Sequence, residues 1–304
     1  MALLKKKSIK DDKIDENRQM GLFEDLKSLD LFSDSFDGTK LVTDAINGFV
    51  GKLESGIRLT FNKNCSPSSS FRTAGVLGGM GPEATLDLHK KILSKTDAEK
   101  DQDNIPLIIF NNPQIPDRSD FILNKGDSPL EEMIRTARSL ERAGADFIVI
   151  PCNTAHHFFD KIDSSVEIET INLIEEVTDH INKNYPESEN IGLLITTGSM
   201  ETKVYSNFIR KSGRTPLLPE KNFQENVMKS IYGIKKGEKS KTKVKLRRAT
   251  EHLIRQGADL VIMGCTEIPL VLENDEFPVP LIDPVDILAE KVKEVSRYEG
   301  SYSA

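Results

Sequence analysis

One stretch of this 304-residue chain occurs twice, and that repetition constrains the fold more than any other feature. Gly144-Ala145-Asp146-Phe147-Ile148-Val149-Ile150-Pro151-Cys152-Asn153-Thr154 returns as Gly257-Ala258-Asp259-Leu260-Val261-Ile262-Met263-Gly264-Cys265-Thr266, and both cysteines shift by the same 113 positions. Each copy follows a segment whose apolar residues recur at helical spacing: Met133, Ala137 and Leu140 before the first, Leu246, Ala249 and Leu253 before the second. A helix, a turn, a short apolar strand and a cysteine are therefore duplicated as one unit. Apolar runs without alternation suit parallel strands covered on both faces. The expected fold class is α/β: two similar α/β domains with parallel sheets, related by a pseudo-twofold duplication.

The rest of the chain extends this pattern. Further strands are expected at 73–77, 106–110 and 191–195 beside those at 147–150 and 260–263, with helices over 83–93, 129–143 and 244–256. The first domain is expected over 71–170 with the last helix (285–304) returning to it, and the second over 171–284. Residues 1–70 read differently, mixing charges of both signs and ending in Ser66-Pro67-Ser68-Ser69-Ser70. There, Leu41, Val42, Ala45, Ile46, Phe49, Val50 and Leu53 fit one amphipathic helix in an extension that is otherwise disordered or loosely docked.

Composition narrows the function. With 41 Lys+Arg against 48 Asp+Glu, the net charge of −7 argues against a general nucleic-acid binder, which needs a basic footprint. Three cysteines, at 65, 152 and 265, cannot all pair and form no CxxC site, which fits a reducing compartment. No run is apolar enough for a membrane span, and the start lacks the apolar core of a secretory signal, so a cytoplasmic protein is expected.

In open parallel sheets ligands sit beyond the carboxyl ends of the strands, where both repeated cysteines fall. Two halves facing each other would bring Cys152 and Cys265 to one small ligand from opposite sides. Inverting a stereocentre by proton transfer needs a base on one face and an acid on the other, with roles exchanged for the other enantiomer. Two groups of one kind meet that need. A free thiol is only about 3% ionised at pH 7, a fraction that a nearby positive charge would raise.

Several motifs occur in order: G-G-M-G-P at 78–82, P-x-I-P-D-R at 113–118, P-C-N-T-A-H at 151–156, G-C-T-E-I-P-L at 264–270 and P-L-I-D-P at 280–284. Over about 73–292 the chain resembles the cofactor-independent aspartate/glutamate racemase superfamily, and within it the aspartate racemases. Cell-wall glutamate racemases share C-N-T and G-C-T but usually continue with His where this chain has Glu267. The resemblance implies a thiol/thiolate pair of Cys152 and Cys265, no cofactor and no metal. It implies that Arg118 and Lys235, the latter next to Lys236, bind the substrate side-chain carboxylate. Asn153 and Thr154, with the N–H groups of a following helix, would hold the α-carboxylate, and Met80 and Thr266 would complete the pocket. Thr196 and Thr197 join as strand-end candidates by placement. The implied partner is an amino-acid substrate, aspartate or alternatively glutamate, and family members are commonly homodimers.

Other readings stay open. Either cysteine alone reads as a small core residue, and Cys65 as an incidental exposed thiol. Cys152 and His156 share a helical spacing that could seed a zinc site, but no third or fourth ligand is spaced to complete it; a hydrogen-bonding histidine is the plainer expectation. Glu267 could orient backbone or substrate ammonium, or cap a helix. Gly79-Met80-Gly81-Pro82-Glu83-Ala84 matches G-x-G-x-x-A, yet Phe110 is followed by Asn111-Asn112-Pro113 where a dinucleotide site wants an acid. A duplicated amino-acid-binding protein with idle cysteines is the non-catalytic alternative.

Overall fold

The computed structural model describes residues 71–297. The expected helix of residues 41–53 and Cys65 lie outside them. Within them stand two four-stranded sheets, every strand parallel to its neighbours. The first contains β1 (Ala74–Gly78), β2 (Leu107–Asn111), β3 (Phe147–Val149) and β4 (Glu169–Thr170), in the order β2-β1-β3-β4. The second contains β5 (Asn190–Leu193), β6 (Thr215–Leu217), β7 (Leu260–Ile262) and β8 (Leu281–Ile282), in the order β6-β5-β7-β8. Adding four to each strand number turns one order into the other, so the duplicated segments form equivalent strands, β3 and β7.

Helices cover both faces of each sheet: α1 (Pro82–Lys95), α2 (Arg118–Ile122), α3 (Leu130–Arg142) and α4 (Phe159–Asp163) arise in the first half, and α5 (Leu173–Asn184) follows its last strand. The second half supplies α6 (Thr197–Glu201), α7 (Val204–Lys211), α8 (Lys221–Lys235), α9 (Lys239–Arg255) and α10 (Pro284–Ser296). Along β3, Phe147 and Val149 face a core shared with Ile191, Leu193, Leu260 and Ile262 of the other sheet. Ile148 faces the opposite way, against Met133, Ala137 and Leu140 of α3. In the second half Val261 likewise meets Leu246, Ala249 and Leu253 of α9. Each fully buried Leu or Ile contributes about 1.5–3 kcal/mol by leaving water, and burial on both faces explains why these strands carry no alternation.

The repeated Gly-Ala-Asp has a task for each residue. Gly144 and Gly257 adopt φ of 98° and 94°, the left-handed turn that ends α3 and α9. Ala145 and Ala258 pack against glycines of the central strands; a Cβ on Gly75 would stand 2.8 Å from Ala145 Cβ, and one on Gly192 3.2 Å from Ala258 Cβ. Asp146 accepts the Thr73 N–H at 2.7 Å, while Asp259 accepts those of Glu189 and Asn190 at 2.9 and 2.7 Å, fixing where the central strands start.

The last helix crosses back. Asp283 caps α10 by accepting from Val285 N and Asp286 N, and its other oxygen meets Lys91 of α1 at 2.5 Å. Lys95 of α1 reaches Asp286, and Lys291 of α10 reaches Glu176 of α5. Among the described residues no helix is long and apolar enough to cross a membrane.

Candidate active site

The chain leaves β3 through Ile150-Pro151 and reaches Cys152; it leaves β7 through Met263-Gly264 and reaches Cys265. Both thiols are free and buried, and both line one cavity of about 20 Å³ at the carboxyl ends of the strands. Of the residues singled out in the sequence, Met80, Arg118, Asn153, Thr154, Thr196, Lys235, Thr266 and Glu267 share its walls, joined by Asp117 and Ser119. Thr197 is not among them. It starts α6 facing α8, where its N–H meets Met228 Sδ at 3.1 Å and its hydroxyl lies 3.4 Å from Gln224 Nε2. Thr196 turns inward because it caps α6, accepting the Ser199 N–H at 3.0 Å. Lys236 succeeds the last residue of α8 and lines an outer groove instead.

One expectation needs correction. The segment after Cys152 is not an α-helix but a five-residue 3₁₀ turn, Thr154–Phe158. The Thr154 hydroxyl is taken up by Thr196 Oγ1 and Ser199 Oγ, each at 3.0 Å. The Arg118 fork is also partly occupied. Its Nη1 donates to the Ile115 and Pro116 carbonyls and its Nη2 to that of Met80, which fixes the loop around it. Of five N–H groups, three are thereby spent.

The unpaired groups are informative. Arg118 Nε and Asn153 Nδ2 are buried donors with no partner in the structure. A buried donor left empty costs about 1–3 kcal/mol, so two of them beside one cavity mark a place for acceptor atoms of a ligand. Asn153 is held in that orientation by Tyr205 of α7, whose buried hydroxyl donates to Asn153 Oδ1 at 2.5 Å. The Tyr205 ring also borders Gly264, where a Cβ would come within 3.0 Å of it. Nothing near Asn153 in the sequence signals Tyr205, which lies 52 positions away. Asp117 was within reach of sequence reasoning, standing beside Arg118 in P-x-I-P-D-R; it caps α2 by accepting from Ser119 N and Asp120 N.

Charge gathers on the Cys265 side. Glu267, only 4% exposed, accepts from Cys265 Sγ at 3.0 Å and lies 3.4 Å from Thr266 Oγ1. Lys235 Nζ stands 3.9 Å from both Glu267 Oε1 and Asp117 Oδ2. Burial works against the Lys235 charge, but the Glu267 carboxylate, first among the opposing groups, helps hold the ammonium above its ordinary range. On the other side, His156 is fixed between two backbone groups: Nδ1 meets Cys152 O at 2.9 Å and Nε2 accepts the Leu173 N–H at 3.0 Å. With both ring nitrogens so used, His156 is a staple under the Cys152 turn, and neither nitrogen is free for a metal.

Known proteins share this architecture. The profile of the family described as Asp/Glu/Hydantoin racemase matches residues 77–292. A broad specificity amino-acid racemase of Bacillus subtilis is 27% identical over 228 residues, which cover 74% of this chain and 97% of that one. The structure of Picrophilus torridus aspartate racemase superposes with a TM-score of 0.68 at 29% identity, over 76% of this chain and 97% of the other. An aspartate racemase homologue from Pyrococcus horikoshii superposes at 0.59 with 26% identity, over 74% and 98%.

Proposed function

This chain belongs to the Asp/Glu/Hydantoin racemase family, and from that premise we propose that it interconverts L- and D-aspartate without a cofactor, using Cys152 and Cys265 as its two proton-transfer groups. One observation carries the reading: equivalent strands deliver both thiols to a single buried cavity that also holds two donors without acceptors, Arg118 Nε and Asn153 Nδ2. In the proposal one substrate carboxylate accepts from Arg118, with Lys235 adding charge, and the other accepts from Asn153. Held at both ends, the substrate presents Cα between the thiols. One cysteine, as thiolate, takes the α-proton; the electron pair left on Cα takes a proton from the other cysteine's S–H on the opposite face. The products are the opposite enantiomer and a site with its proton exchanged, ready for the reverse reaction.

A cavity of about 20 Å³ has room for roughly one water, so binding requires its walls to part. Asp117, Arg118, Lys235 and Glu267 also border an outer pocket of about 470 Å³, which would serve as the entrance. The same pocket favours a second reading, a broader substrate range including glutamate, in keeping with the broad-specificity relative. One methylene is worth only about 1–3 kcal/mol of discrimination. A cytoplasmic homodimer completes the proposal.

The test is incubation with L-aspartate, and separately L-glutamate, in D₂O without added cofactor, following loss of the α-proton signal together with chiral chromatography. Deuterated D-enantiomer from either acid supports the reaction and ranks the substrates. Absence of exchange with both, in folded protein, refutes it.

A further inference from the structure

The offset that maps Cys152 onto Cys265 also maps Thr154 onto Glu267. The two half-sites are therefore built alike in backbone and unlike in chemistry. On the first side a neutral hydroxyl is absorbed into a cluster with Thr196 and Ser199. On the second a carboxylate stands 3.0 Å from the sulfur, and among the described residues Cys152 has no such partner. We infer that Glu267 is a positioning residue that keeps Cys265 protonated in the resting site, making it the first proton donor and leaving Cys152 to act first as the base. The inference rests on the two-thiol reading above.

The geometry gives the reason. A thiol donates to a carboxylate, whereas a thiolate beside it would face a like charge in a place closed to water. Glu267 cannot swing away freely, because it is buried, its Oε2 also lies near Thr266, and its Oε1 faces Lys235. The other charged and titratable groups that share the cavity of this sulfur are Lys235 from α8, Arg118 and Asp117 from the start of α2, and the opposing thiol of Cys152, with the Tyr232 ring of α8 beside Lys235. Burial first and the Glu267 carboxylate second push the Cys265 thiol well above the ordinary range, while Lys235 pulls the other way. Glu267 and Lys235 thus oppose each other on one sulfur, and turnover passes through a state in which the thiolate has moved to the side where Glu267 disfavours it.

The inference is tested on the full chain without substrate by following iodoacetamide alkylation of Cys265 and Cys152 against pH, resolved by peptide mass spectrometry. The midpoint of each profile is read, since access alters the amplitude. In Glu267→Gln the Cys265 midpoint should fall by about one pH unit or more, Glu267→Asp should restore most of it, and the Cys152 midpoint should stay in place. In Lys235→Gln the Cys265 midpoint should move the opposite way, and Glu267→Thr, which copies the residue at the matching place beside Cys152, serves if Glu267→Gln does not fold. Opposite shifts are not what a merely structural role for either residue would produce. An unchanged Cys265 midpoint in both variants, or shifts of the same sign, overturns the inference. Protein that shows the opposite shifts yet racemises neither amino acid keeps the Cys265–Glu267 coupling and loses the two-base reading; protein that racemises without the shifts does the reverse.

Discussion

Acid should weaken this fold through His156. Burial holds that imidazole down from 6.5 to about 4, because its charged form would sit in a closed site. An unfolded chain takes up the proton at the ordinary pKa, and the folded chain resists it until about pH 4. The stabilisation is therefore fully present above pH 6.5 and is lost as pH falls toward 4. At about 1.4 kcal/mol per unit, a shift of this size corresponds to a loss of about 3 kcal/mol across that window. Structure supplies the mechanism: protonating Nε2 removes the acceptor of the Leu173 N–H at the start of α5. Urea unfolding of wild type and His156→Gln at pH 7.5, 6.5, 5.5 and 4.5 would measure it. At neutral pH the variant should be less stable by about 1–3 kcal/mol, the cost of stranding a backbone group at one end of the bridge. The difference should shrink by about 2–3 kcal/mol as pH falls from 7.5 to 4.5. Titration of other groups cancels in this comparison, so a difference that stays constant with pH would refute the argument.

The site carries three further expected outcomes. Cys152→Ala and Cys265→Ala should each lower racemisation by about 10²–10⁴-fold or more, since proton transfer loses a partner, with circular dichroism unchanged; full activity in either sinks the two-thiol mechanism. Arg118→Ala should raise KM for aspartate by about 10–100-fold, the loss of a charged hydrogen bond, and an unaltered KM would remove Arg118 from substrate binding. Tyr205→Phe frees the Asn153 amide, so KM should rise by up to about tenfold with a smaller change in kcat. Equal loss of kcat and of stability, with KM unmoved, would point to packing alone.

The inner strands could be read from the sequence because burial on both faces leaves them apolar throughout. β4, β6 and β8 could not: two or three residues at the sheet margins, one of them Pro216, make too short a run to distinguish from loop. Gly-Ala-Asp was visible as a repeat, but its meaning lies in Gly75 and Gly192, whose missing side chains Ala145 and Ala258 exploit from another part of the chain. In the site, side chains next to the cysteines were legible because the strand end carries them to the same place. Thr196 and Thr197 show the limit, since adjacent residues at a helix start point to different surroundings. Tyr205 and the staple role of His156 depend on partners brought close only by the finished fold.

The return of α10 bears on how the molecule is made. Val285, Leu288, Ala289 and Val292 belong to the same core as Leu88 and Ile92 of the first half, yet they are translated after every strand. A ribosome that has completed the first sheet has not yet produced the helix that seals its face. The first half must therefore wait, partly uncovered, for the whole second half to emerge, and a break anywhere between the two would leave the earlier piece without its last wall.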